Sequence, residues 1–554
     1  MRNQSNRNKT WQLPVLFGVL LSLSITWGHQ LEHYDHIVLT DLRSAGIFVA
    51  LAVLFALLVK LSWSFLDKRD VRLRHSEEQI HVVHNKEMSK YKGYGRGCFL
   101  AVWFAIALFS FIVLLGVYPG FFVYDAQTEV TEVLTRSFNT HHPLLHVLLL
   151  GGSVAFFHKL TGSYNTGIFV YTILQMLVMT WIFTYIISFM KRHGAGKRLR
   201  TATALFFGIF PTIVMYTLCS SKDGLFSAFL VLTVILILEW EELTGSDKRK
   251  CKQRQIVVSA LLMMLFRHNG MYAYLVFAVF VLIAGREKYR KSTVKSGRRF
   301  FLILPIILYL VINTVMGAAL KAEGGEHQEM LTVPIQQLAR TYVYEGNELS
   351  QEDKAAIISY LSEEGLSHYT PRISDILKMY FDNSLYESDR LGFWKLWGRL
   401  FIEHPMCYVN AWFLTSYGYW YPGAVINVYQ GNTVFTFTYK DSSYFGYEVE
   451  LPGERTSFIP IIDEFYRKLS IEKFQQNIPV ISLLFSPAAY FFGCLYLFIT
   501  AQYRKKNMLY PYLLIMLVWL TVLLGPTYLV RYVVYLWYII PVLLQLGALQ
   551  VEEL

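Results

Sequence analysis

The chain has 554 residues, 54% hydrophobic and 16% aromatic, with a mean hydropathy of +0.35; a soluble globular domain is less apolar, so the class is a polytopic membrane protein. Its net charge of +11 is unevenly spread: residues 319–476 carry 13 basic and 21 acidic side chains, a net of −8, and the remainder carries +19, mostly in short loops. That is the pattern of the positive-inside rule, and it excludes a nucleic-acid surface as the origin of the charge.

Apolar runs long enough to cross roughly 30 Å of hydrocarbon fall at 11–28, 44–66, 98–118, 166–190, 201–219, 224–240, 300–319, 478–502, 508–525 and 528–550. No small-residue cleavage site follows the first, which reads as a retained helix and not as a signal peptide. Two shorter runs, 255–266 and 271–285, flank Arg267-His268-Asn269-Gly270 and predict a tight hairpin. Basic loops mark the cytoplasmic side: Lys68 to Arg96, Lys191 to Arg200, Lys248 to Arg254, Arg286 to Arg299 and Arg504 to Lys506. Loops poor in Lys and Arg alternate with them at 29–42, 119–142, 220–223, 267–270, 319–476 and 525–528. The apolar run 143–158 would break this alternation if it spanned, because the basic 191–200 loop would then lie outside. Read as a juxtamembrane or re-entrant helix it restores the parity, and twelve spans with both termini cytoplasmic result.

The expected organisation is two N-terminal transmembrane helices with a basic loop (1–97), a transmembrane core (98–318) with an outer loop at 119–165, an extracytoplasmic domain (319–476) and C-terminal transmembrane helices (477–554). The outer domain reads as mixed α/β. Stretches 352–363 and 372–381 have helical periodicity, 393–417 is an amphipathic helix broken or kinked at Pro405, and Val434 to Val449 reads as a β-hairpin. The five cysteines have neither a disulfide framework nor metal-ligand spacing.

Polar clusters collect on the outer side. Asp125 follows the 98–118 run in Tyr124-Asp125-Ala126-Gln127, with Glu129, Glu132 and then His141-His142-Pro143 behind it. Asp125 is either an interfacial or helix-capping residue, or a half-sheltered general base toward an acceptor hydroxyl or amine. His141 and His142 either begin a helix that has Pro143 in its first turn or bind substrate. Ser221-Lys222-Asp223 is either a capped polar turn or a place where Lys222 holds a phosphate. Arg267, beside Asn269, either snorkels to the interface or points into a polar cavity. Arg531, next to Tyr532 and about one turn inside the last span, suits a bidentate contact to a phosphate or diphosphate. Gln337 and Arg340 open the outer domain, as the polar face of a short helix or as contacts to a sugar or acceptor. Trp412, Tyr417, Tyr419, Trp420 and Tyr421 either stack on sugar faces or anchor the domain at the membrane interface. A base beside phosphate-binding cations points to transfer from a phosphorylated lipid; no Walker or dinucleotide glycine motif competes.

With Tyr118-Pro-Gly, Tyr124-Asp-Ala-Gln127, Thr140-His-His-Pro143, Ser221-Lys-Asp223, Arg267-His-Asn-Gly270, Val333-Pro-Ile-Gln-Gln337 with Arg340, and Arg531-Tyr532, the chain resembles the GT-C superfamily. More closely it resembles a family of multispanning bacterial membrane proteins known mainly from Gram-positive genomes. The resemblance, over about residues 98–550, implies a GT-C-like fold with a juxtamembrane helix in the first large outer loop. It implies glycosyl transfer from a polyprenyl-phosphate-linked sugar to an envelope glycan, a teichoic-acid-like polymer or a lipid, at the outer face of the bacterial plasma membrane. It gives Asp125 the catalytic role, with Lys222, Arg267 and Arg531 on the donor phosphate. Where many members pair two acidic residues in this loop, Asp125 has Gln127 two positions on, and no metal is carried over. A lipid-linked sugar flippase and a non-catalytic envelope-assembly partner are the rival readings. Polar residues grouped at the outer ends of helices, not through the membrane depth, favour the enzyme.

Overall fold

The computed structural model describes residues 2–81, 93–243, 246–289, 301–425, 449–472, 474–504 and 508–549. Among them the chain is helical, with four isolated β-bridges and no strand. The first half comprises α1 (Arg2–Tyr34), α2 (Leu42–His81), α3 (Arg96–Gly116), α4 (Ala126–Thr135), α5 (Leu144–Thr161), α6 (Tyr164–Arg192), α7 (Lys197–Ile209), α8 (Pro211–Leu218), α9 (Lys222–Glu242), α10 (Ser246–Phe266), α11 (His268–Tyr289) and α12 (Leu304–Leu320). Among the described residues six helices, α1, α2, α3, α5, α6 and α9, are long and apolar enough to cross a membrane, and α7 with α8, bent by 53° where Pro211 opens the second helix, makes up to a seventh. Shorter apolar helices add 268–283 and α12. The outward face of α2 is apolar, with Leu54, Leu58, Leu61 and Phe65 all exposed. A soluble domain would bury such a face; hydrocarbon solvates it.

A helix break falls within the expected 267–270 segment, since α10 ends at Phe266 and α11 starts at His268. The region expected to lie outside the membrane folds as α13 (Thr332–Tyr344), α14 (Gln351–Leu361), α15 (Glu363–Ser367), α16 (Asp375–Lys378), α17 (Asn383–Ser388), α18 (Arg390–Glu403), α19 (Pro405–Ser416) and α20 (Pro460–Arg467). It has its own core of Leu331, Ile335, Leu338, Ile357, Leu361, Leu377, Phe393, Leu400 and Tyr408. The break at Pro405 falls as expected, with the proline at the first turn of α19. The 352–363 helix is α14, whereas 372–381 contracts to the single turn of α16. The hairpin expected at 434–449 lies, except for its last residue, outside the described residues, and the described part of this region is helical. The chain closes with α21 (Ile481–Phe485), α22 (Pro487–Tyr503), α23 (Leu509–Val522) and α24 (Tyr535–Leu543).

Two polar layers cap the apolar bundle. At one end Glu239 of α9 accepts from Lys252 (2.7 Å), Tyr185 and Arg192, while Arg504 meets Asp70 and Gln545 donates to the carbonyls of Met190 and His193. At the other end Lys222, also of α9, sits among acidic side chains. At 1.5 Å per residue these layers are about 26 Å apart along α9, close to the thickness of a hydrocarbon core.

α3 is a single span in length, and the turn after it meets α6 at Thr172, two turns past the start of α6. The first turns of α6, and α5 running back against them, therefore extend beyond the level at which α3 ends. α5 and α6 cross closely because Gly167 has no side chain: a Cβ there would lie 2.4 Å from Val154 Cα. Gly120 fixes the turn after α3. It has φ +126°, and a Cβ would come within 2.8 Å of Thr172 Oγ1 and 3.0 Å of the Leu218 carbonyl. Phe121 N donates to Leu218 O (3.1 Å) and Ser220 N donates to Phe121 O (2.9 Å), so the loop before α4 is pinned to the loop before α9. Gly120→Ala is expected to lower the melting temperature in detergent, with a loss of about 1–3 kcal/mol. Gly152→Ala, at a helical glycine with nothing within 4 Å of its Cβ position, should leave it unchanged or raised; equal melts for the two variants would contradict the pinning.

Candidate functional site

The pinned loops bring Asp125 and Lys222 together. Asp125 is the N-cap of α4 and follows Tyr124, which has φ +66°. Its Oδ2 accepts from Lys222 Nζ at 2.7 Å and from Arg531 Nη1 at 3.2 Å. Lys222 opens α9 behind Ser221, whose hydroxyl caps the helix by accepting from Asp223 N (3.2 Å). The ammonium also donates to Glu129 Oε1 (3.2 Å) and His142 Nδ1 (3.1 Å). An ammonium has three N–H groups, and here all three are used inside the protein. The expected phosphate contact of Lys222 has no donor left in this arrangement.

The two arginines complete a charge lattice. Asp223, almost fully buried, pairs with Arg267 Nη1 and lies 3.8 Å from Arg531 Nε. Arg531 Nη2 donates to Tyr532 OH (2.9 Å), and its guanidinium lies over the rings of Tyr124 (4.5 Å) and Tyr532 (4.8 Å). Arg267 also lies against the Tyr532 ring, 4.5 Å from its centre. Three carboxylates thus face three cations. Among them Asp125 is the accessible member: its side chain is 29% exposed, against 2% for Glu129, 1% for Asp223, 11% for Lys222 and 10% for Arg531.

Behind this surface runs a buried hydrogen-bonded chain. Gln175 Nε2 donates to the carbonyls of Cys219 (2.6 Å) and Thr217 (3.2 Å), which turns its Oε1 toward the Tyr171 hydroxyl (2.9 Å). The Tyr171 oxygen is 2.7 Å from His146 Nε2, and His146 Nδ1 meets Glu129. With the Tyr171 proton directed to Gln175, the Tyr171 oxygen accepts from His146 Nε2. Glu129 is therefore held from behind by an imidazole and from the front by Lys222.

The electrostatics follow. Burial pushes the Asp125 carboxyl up, but Arg531 and Lys222 outweigh it and hold it well below the usual carboxylate range. Glu129 is lowered in the same way, burial being overcome by His146 and Lys222. His142 goes down to about 3 through burial and the Lys222 charge, so it is neutral and accepts from the ammonium. Glu132, which accepts from Asn139 N (3.3 Å), rises to about 7, chiefly through burial.

Of the residues expected from sequence, Asp125, Tyr124, His142, Lys222, Asp223, Arg267, Arg531 and Tyr532 come together. Gln127 points outward on an exposed position of α4. His141 is 43% exposed and 3.9 Å from Glu329, stacked edge-on to His142. Asn269 donates to Thr521 Oγ1 (3.0 Å). Gln337 accepts from Trp397 and donates to Tyr408 O, and Arg340 donates to Asp35 O (2.7 Å) and Tyr369 OH, so both build the outer domain and its seat on α1. The aromatic group at 412–421 is committed likewise: Trp412 donates to Leu523 O, Tyr417 to Glu32 and Tyr419 to Thr527 O. His146, Tyr171 and Gln175 were not expected, and Glu129 was expected only as a neighbour of Asp125 and not as a member of the site. The sequence signal for the acidic partner is Asp125–Glu129 at i, i+4, one face of a helix, and not the i, i+2 spacing at which Gln127 stands.

Glu132 supplies a pH test. Its folded value lies above its ordinary 4.5, so the folded chain holds a proton that the unfolded chain releases between those values. Its contribution is complete below about pH 4.5 and is lost as pH rises through about 7. Between about pH 5 and about pH 8 the wild type should lose melting temperature relative to Glu132→Gln; parallel curves would contradict the assignment.

No curated protein and no solved structure matches the chain. Residues 131–550, about three quarters of the sequence, match a family of unknown function, DUF6020, in a span that begins shortly after Asp125 and includes His142, Lys222, Asp223, Arg267 and Arg531. The chain belongs to that family.

Proposed function

We propose that the protein is an integral membrane glycosyltransferase of GT-C type that moves a sugar from a polyprenyl-phosphate carrier to a cell-envelope acceptor on the outer face. The observation that carries this reading is the accessible carboxylate of Asp125, paired with Lys222 and Arg531 in an otherwise buried, charge-balanced cluster that also holds Arg267. Charged groups at the end of an apolar bundle are costly to keep, and they mark function by default. Twelve spans with cytoplasmic termini agree with the two polar layers. The layer with Arg192, Lys252 and Arg504 lies toward the basic loops, which the positive-inside rule places in the cytoplasm. The Asp125 layer then faces out, and α5, beyond the level at which α3 ends, is the juxtamembrane helix of the outer loop.

In the proposed reaction Asp125 accepts the proton of the acceptor hydroxyl as its oxygen bonds to the anomeric carbon. The bond from that carbon to the phosphate oxygen breaks, and polyprenyl phosphate leaves with the bonding pair. Arg531 and Arg267 face the site with planar guanidinium groups suited to the leaving phosphate. Lys222 keeps Asp125 ionised and in place. The cations that ensure ionisation also weaken Asp125 as a base, so an anionic donor drawing on Arg531 strengthens the base as it binds.

Asp125→Asn should lower transfer from a radiolabelled polyprenyl-phosphate sugar by about 10²–10⁴-fold in protein that is still folded. Arg531→Met should raise donor KM about tenfold or more. Gln127→Ala should leave both unchanged. Retained transfer in the Asp125→Asn protein would remove Asp125 from the base role.

A further inference from the structure

One ligand-type atom from each of Asp125, Glu129 and His142 lies within 4.8 Å of the other two. These are two carboxylate oxygens and an imidazole nitrogen, a donor set suited to a divalent ion such as zinc or manganese. The atoms meet at a cation, and the cation belongs to the chain: Lys222 Nζ is 2.7 Å from Asp125 Oδ2, 3.2 Å from Glu129 Oε1 and 3.1 Å from His142 Nδ1. The imidazole takes part through an unprotonated nitrogen, the form in which histidine ligates metals. Glu129 has the outer-shell partner that metal ligands carry, here His146, itself held by Tyr171 and Gln175. A metal needs ligand distances near 2.0–2.2 Å, so each side chain would have to close in by about 1 Å at most.

We infer that Asp125, Glu129 and His142 form a metal-type site in which the Lys222 ammonium is the resident cation. The site therefore has its positive charge built in, and removing the ammonium opens it to a divalent ion. This holds whatever reaction the site performs. Each carboxylate keeps a second partner when Lys222 is replaced, Arg531 for Asp125 and His146 for Glu129, so the pocket persists without the ammonium.

The test is Mn2+ binding to the purified full-length chain in detergent, read by electron paramagnetic resonance and by thermal shift. Lys222→Ala, and separately Lys222→Gln, should bind one Mn2+ per chain at least about tenfold more tightly than the wild type. A further His142→Ala or Glu129→Gln change in the same chain should abolish that binding. Equal Mn2+ binding by the wild type and both variants would overturn the inference, because the ammonium would then not be holding the position. Folded variants that bind no Mn2+ would overturn it as well. So would loss of folded protein in both variants even with about 1 mM Mn2+ present, since a bound divalent ion restores the missing charge.

Discussion

The arrangement of the site depends on the contact between the first residue of α9 and the first turn of α4. Lys222 is the node: one ammonium binds the cap of α4, a residue one turn into α4 and the segment leading to α5. All three lie within residues 125–142 and far from Lys222 in sequence, and two of them are carboxylates brought to the end of an apolar bundle with the ammonium between them. Burial of an unpaired charge is costly on the scale of several kcal/mol, and burial of a satisfied set is not. With Arg267, Arg531 and Asp223 the cluster reaches three positive and three negative groups. The charge balance lets so many ionised side chains gather where α3, α6 and α9 enter apolar surroundings.

The backbone serves that balance. Gly120 allows the turn after α3 to touch Thr172 and Leu218, the bridge between Phe121 and the 218–220 segment fixes its height, and Gly167 draws α5 against α6. The last contact sets His146 opposite Tyr171. Among the described residues the outer domain makes no ion pair with the cluster. Its Arg340, Arg372 and Tyr417 hold the end of α1, and its aromatic ring system holds the turn between α23 and α24.

The apolar runs, the helix break at Arg267, the cap at Ser221 and the break at Pro405 were legible in the sequence, because each is a local consequence of residue type. The convergence of Asp125, Lys222, Arg267 and Arg531 was legible through charge alternation, which sorts loops by side without needing tertiary contacts. The partnership of Asp125 with Glu129 was not, because it requires knowing that a helix begins at Ala126; read as a loop, the segment offers Gln127 instead. His146 lies in the run Leu-Leu-His-Val-Leu-Leu-Leu, where a lone polar residue gives no hint of its partner. Gln337, Arg340 and the 412–421 aromatics have the residue types of a binding surface, yet packing spends them on the domain interface, and only three-dimensional proximity separates the two roles.

Charge balance also constrains what the site can accept. A cluster with three carboxylates against three cations has no surplus attraction for an anion, so a phosphate held here has to take a cation from a carboxylate. Lys222 is the least exchangeable, since its leaving would take a cation from two carboxylates at once. Arg267 is tied to Asp223, which is nearly inaccessible. Arg531 shares Asp125, the one carboxylate open to solvent, and its partner can be rehydrated or take up a proton when the guanidinium turns away. Arg531 is therefore the cation for which exchange costs least. An anion that took Arg531 in this way would leave Asp125 with one cation in place of two, and so with a higher proton affinity.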